Sequence, residues 1–73
     1  MNTMQIRLNN FEDVRRFVRD CSGIPEDMEL VSGDVSADPK SIIGLMAMDF
    51  SRPMELRYSG GEGIPESLKE YRV

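Results

Sequence analysis

The chain of 73 residues has no histidine and no tryptophan, one cysteine (Cys21) and two lysines (Lys40 and Lys69). Without histidine it lacks the side chain that most often acts as general base, proton shuttle and metal ligand near neutral pH. A lone thiol excludes an internal disulfide, and an unpaired cysteine with no framework around it fits a reducing compartment. Long hydrophobic runs are missing too. The longest nearly apolar stretch, residues 42–48, falls far short of the roughly 20 residues a membrane-spanning helix needs. The first residues, Met-Asn-Thr-Met-Gln-Ile-Arg, show no basic start followed by an apolar segment. No signal peptide and no membrane insertion are expected, and the sequence points to a cytoplasmic protein.

What is present is ordinary for a globule: 40% apolar and 30% charged residues. Thirteen acidic side chains against nine basic ones give a net charge of −4. That balance argues against nucleic acid, whose phosphates are bound by a basic patch, and against anionic lipid. The length allows one domain, residues 1–73, with a thin core, since so short a chain buries only about 60% of its unfolded surface.

Apolar and polar residues alternate over 4–8, with Met4, Ile6 and Leu8 on one face, which predicts a half-buried strand. Asn9 or Asn10 then caps a helix whose apolar stripe is Phe11, Val14, Phe17, Val18 and Cys21, ended by Gly23. Residues 28–32 and 35–37 predict two strands around a Ser32-Gly33-Asp34 turn. A short helix is expected over 41–48, with Asp38-Pro39 and Ser41 as rival starts. Met54, Leu56 and Tyr58 mark a fourth strand, and Pro65 opens a last short helix with Ile64, Leu68 and Tyr71 at helical spacing. The order βαββαβα predicts an α+β fold, a four-stranded antiparallel sheet with helices on one face. Two sheet orders suit it, a ferredoxin-like one and an open-faced sandwich.

The run Pro39-Lys40-Ser41-Ile42-Ile43-Gly44-Leu45-Met46-Ala47-Met48, followed by Met54-Glu55-Leu56-Arg57-Tyr58-Ser59-Gly60, resembles the serine-bearing helix, next strand and Ser-Gly turn of the HPr family. These are the histidine-containing phosphocarrier proteins of bacterial sugar uptake. The likeness covers about residues 4–60, is specific around Ser41, and implies the open-faced sandwich. The family's phosphorylated histidine lies in a loop between the first strand and first helix, followed by an arginine. Here Leu8-Asn9-Asn10-Phe11 passes almost directly from strand to helix, no histidine exists, and Arg15 and Arg16 lie too far into the helix to stand for that arginine. Phosphohistidine transfer is excluded by composition. One subfamily, the catabolite-repression HPr-like proteins, also lacks the histidine and keeps the serine.

The resemblance implies that Ser41 is a regulatory phosphorylation candidate, since in Gram-positive relatives the matching serine is phosphorylated and then helps dock a transcriptional regulator. Lys40 is adjacent. The alternative is a plain helix-capping serine. By matching position, Ile42, Ile43 and Met46 are the partner-binding candidates, on a helix too apolar all round for every side chain to face a sheet. Arg15 and Arg19, four apart on one helix face, are candidates for an acidic or phosphorylated partner. Glu12 with Arg16, and Arg16 with Asp20, are expected to form ion pairs along the helix.

Gly60-Gly61-Glu62-Gly63 lacks the spacing of a phosphate-binding loop. The carboxylates show no calcium-loop pattern. Cys21 is expected to be a buried, inert hydrophobe. No catalytic residue, cofactor or metal is expected. The partner expected is a protein, either a regulator or a phosphotransferase-system component. A structural or oligomerising module, with a second copy of the chain covering the surplus apolar surface, is one alternative reading, and a phosphotransferase component with a non-histidine acceptor is another.

Overall fold

A computed structural model describes all residues, 1–73. Four strands form one antiparallel sheet: β1 (Asn2–Ile6), β2 (Met28–Ser32), β3 (Val35–Ala37) and β4 (Met54–Tyr58), in the order β1-β4-β2-β3. Helix α1 (Phe11–Ser22) follows β1, helix α2 (Ile42–Met46) follows β3, and a 3-10 helix (Glu66–Tyr71) follows β4. The fold is α+β, and this order is consistent with an open-faced sandwich of the HPr type. Strand β4 is laid between β1 and β2, with Leu56 opposite both Met4 and Leu30.

Period two sorts the side chains. Met4, Ile6, Leu30, Met54 and Leu56 are buried with Val14, Phe17, Cys21, Leu45, Leu68 and Tyr71 in one core beneath the helices. The alternate residues Thr3, Gln5, Glu29 and Arg57 lie on the open face, where the Arg57 guanidinium pairs with Glu55 and, across the strands, with Glu29. Phe17 meets Tyr71 edge-on, with ring centroids 4.9 Å apart. Such a pair adds about 0.5–1.5 kcal/mol beyond its burial.

Several boundaries differ from the sequence expectation. Strand β1 runs two residues earlier than 4–8, because its ladder with β4 starts at the Asn2–Tyr58 pair. Leu8 leaves the ladder yet stays fully buried, so the alternation survives the end of the strand. Phe11 does not join the core and remains 52% exposed. It is the first residue of α1, and helical side chains lean toward the N-terminus, so its ring projects past the layer that Val14 and Phe17 enter.

The final helix is 3-10 rather than α. Its two buried residues, Leu68 and Tyr71, are three apart, and three residues per turn align them on one side. Gly33 takes a positive φ of 60° in the β2–β3 turn, which a residue with a Cβ adopts only under strain. Gly23 ends α1 with ordinary right-handed dihedrals.

Candidate docking site

Helix α2 is only five residues long, and its start is set by hydrogen bonding. Ser41 is the N-cap: its Oγ accepts the Gly44 N–H at 3.2 Å, and its carbonyl accepts the Leu45 N–H at 3.1 Å. Asp38 does not cap the helix. It organises the preceding turn, where its Oδ1 accepts the Lys40 N–H at 2.9 Å and its carbonyl accepts the Ser41 N–H at 2.9 Å. Pro39 is buried. The serine hydroxyl is therefore engaged with the backbone and half-exposed.

The helix sorts its apolar residues into two groups. Leu45 is fully buried and Met48, just past the helix, is nearly so. Ile43 is 82% exposed, Met46 51% and Ile42 37%. No acidic residue stands in the first turn of α2 and no basic residue in its last. Ile42, Ile43 and Met46 are thus brought together on one uncharged outward surface. Lys40 is placed differently: its Nζ donates to the Glu26 carbonyl at 2.9 Å, tying the ammonium to the chain that leads into β2.

The arginine pair on α1 is not drawn to this surface. Arg15 pairs with Glu12 at 2.8 Å, and Arg19 is exposed without an ion pair. Neither is bonded to α2. Arg16 does not pair with Glu12 or Asp20. It reaches Asp13 at 3.4 Å and, from the 3-10 helix, Glu70 at 3.1 Å. Its guanidinium also lies over the Tyr71 ring, 5.6 Å from the centroid. Asp20 instead accepts the Tyr71 hydroxyl at 2.8 Å. Burial first, and then the Asp20 hydrogen bond, push the Tyr71 hydroxyl up to about 12. This cluster bridges residues more than fifty apart. Sequence gave no sign of it beyond a tyrosine at a core position.

The junction between β1 and α1 is a closed cap. Asn10 Oδ1 accepts the Asp13 N–H at 2.8 Å, which caps the helix, and Asp13 Oδ2 accepts the N–H of Asn9, the residue before the cap, at 3.0 Å. Cys21 is fully buried, and desolvation pushes its thiol up to about 12. No cluster of three or more metal-ligating side chains occurs, and no helix is long and apolar enough to cross a membrane. Neither a protein-family model nor a curated protein matches the chain.

Proposed function

We propose that the domain is a non-catalytic HPr-like protein that works by protein contact, a regulatory or adaptor component related to the sugar phosphotransferase system. Its contact face is α2 and its partner a protein, a regulator or a phosphotransferase-system component, presenting an apolar surface. The observation that carries this reading is the exposure of Ile42, Ile43 and Met46 on a helix without charges, while Leu45 anchors the same helix in the core. Methionine suits such a surface because its side chain is flexible and polarizable. Phosphorylation of Ser41 would add nearly two negative charges at the rim of the apolar patch and change which partner fits.

The test is crosslinking in the native host during growth on rich sugar and in starvation, with intact-mass analysis of the same samples. The expected result is a partner protein crosslinked to wild type and lost from Ile43→Asp and Met46→Asp. Both positions are exposed, so the fold should tolerate the changes. Crosslinks unchanged in both variants would remove α2 as the contact face. A concentration-dependent mass in sedimentation, abolished by the same variants, would assign the face to a second copy of the chain.

A further inference from the structure

The six methionines of the chain are placed very differently. Met4, Met48 and Met54 are buried in the core, and Met28 is half-buried against it. Met46 is exposed, and so is Met1 at the first residue. Met46 is thus the only exposed methionine within a helix or strand. Met48 stands two residues further on, yet it is almost fully enclosed.

Thiols are ordinarily attacked by oxidants as the thiolate. Cys21 is fully buried, and burial pushes its thiol up to about 12. Near neutral pH it offers neither the access nor the anion that such a reaction needs. A thioether needs no deprotonation. Its sulfur lone pair attacks one oxygen of hydrogen peroxide, an S–O bond forms and the O–O bond breaks. The departing hydroxide takes the proton from the transferred oxygen, so the sulfur loses two electrons and the peroxide leaves as water. The sulfoxide is polar where the thioether was apolar, and methionine sulfoxide reductases restore the thioether. At Met46 the new oxygen joins the outward surface of Ile42 and Ile43. Leu45, which anchors the helix, stays in the core.

We propose that Met46 is a reversible oxidation site with a peroxide as its oxidant, and that its sulfoxide closes the apolar face of α2 to the partner, a switch that rests on the contact role of that face. The surface changes and the fold does not, because the oxidised side chain is outside the core.

The test exposes the full chain to hydrogen peroxide near neutral pH, stops the reaction with catalase at intervals and maps each sulfur by peptide mass. Met1 and Met46 should oxidise first, and Met4, Met48 and Met54 at least about tenfold more slowly, because a buried sulfur waits for a local opening. The oxidised protein should melt in urea with the untreated one, elute earlier from a phenyl matrix and lose the partner crosslink. Reductase treatment should restore retention and crosslink together. Met46→Leu is apolar and has no sulfur to oxidise at that position. It should keep both through the same exposure, which separates Met46 from Met1. Met46→Gln is polar from the start and should behave as oxidised protein without peroxide. Oxidation of Met46 no faster than that of Met48 overturns the proposal. So does a Met46→Leu protein that loses retention and crosslink as wild type does. If the crosslink survives oxidation but not Ile43→Asp, the switch is overturned and the contact face stands. A crosslink that survives both removes the contact face and the switch with it.

Discussion

Replacement of Ser41 separates a structural serine from a regulatory one, and the geometry sets the size of the effect. The Ser41 hydroxyl holds the half-buried Gly44 N–H, one of the donors that a helix start leaves without a partner. Ser41→Ala removes that acceptor. The cost should sit mid-range for an N-cap loss, about 1 kcal/mol. Fraying of α2 cannot absorb it silently, because Leu45 and Met48 are part of the core and must stay in place. A chain of this size has a urea slope of about 1 kcal/mol per molar, so the midpoint should fall by about 1 M. In a thermal melt the same loss lowers Tm by roughly 4–8 °C. Ser41→Asp keeps a capping oxygen and adds a negative charge at a helix start, so its stability should stay within about 0.5 kcal/mol of wild type. Urea melts of the three proteins followed by circular dichroism decide the matter. If Ser41→Ala melts with wild type, or Ser41→Asp is as damaged as Ser41→Ala, the cap does not carry the start of α2. If the expected order holds, loss of binding in Ser41→Ala is ambiguous between fold and regulation. A change seen in Ser41→Asp then reports charge alone.

Three further outcomes follow from the core and its edges. Burial pushes the Cys21 thiol up from the ordinary thiol value of 9.0 to about 12, so its contribution is full below about pH 9 and is lost as pH rises toward 12; between pH 8 and pH 11 wild type should lose about 2–3 kcal/mol more in urea melts than Cys21→Ala, and an equal loss in both would refute the assignment. A Cβ at Gly60 would overlap the Tyr58 ring, whereas one at Gly61 meets nothing; Gly60→Ala should cost about 1–3 kcal/mol in thermal melts while Gly61→Ala stays within about 0.5 kcal/mol. Tyr71→Phe keeps the ring on Phe17 but gives up the bond to Asp20, so it should cost about 1 kcal/mol and speed hydrogen exchange at the Arg7 and Val73 amides, which bond to the Tyr71 and Gln5 carbonyls.

How much of this was legible from sequence depends on the distance over which each feature is encoded. Period-two alternation in Met4-Ile6-Leu8 and Met54-Leu56-Tyr58, and the Val14-Phe17-Cys21 stripe, are local, and the structure keeps all three. The Ser41 cap was one of two local options, settled by a hydroxyl reaching Gly44 rather than by residue type, since Asp38 is as good a capper in isolation. Sheet order was legible only through the resemblance. Nothing in β4 alone says that it will lie between β1 and β2. The apolar residues of α2 defeat periodicity, because a five-residue helix of four apolar side chains and a glycine has no polar face to orient it. Packing into the core shared with α1 decides that Leu45 goes in and Ile43 out. The partners of Arg16 were misplaced for the opposite reason. Helical spacing offers Glu12 and Asp20, but Tyr71 and Glu70 approach from the end of the chain and take the guanidinium and the Asp20 carboxylate.

The two modifications singled out above lie at opposite ends of α2. Ser41 caps its start and Met46 is its last residue, with Ile42 and Ile43 between them. They act by different physics. A phosphate, or Ser41→Asp in its place, works through charge, and salt screens charge over about 10 Å at 0.1 M but about 3 Å at 1 M. A sulfoxide, or Met46→Gln in its place, carries no net charge and works by putting a polar group where an apolar contact was. Compared with wild type at the same salt, a crosslink weakened by Ser41→Asp should therefore recover as salt is raised between those limits, while that of Met46→Gln stays lost. An equal response of the two variants to salt would refute that division, and would mean that Ser41→Asp acts through the start of the helix rather than through its charge.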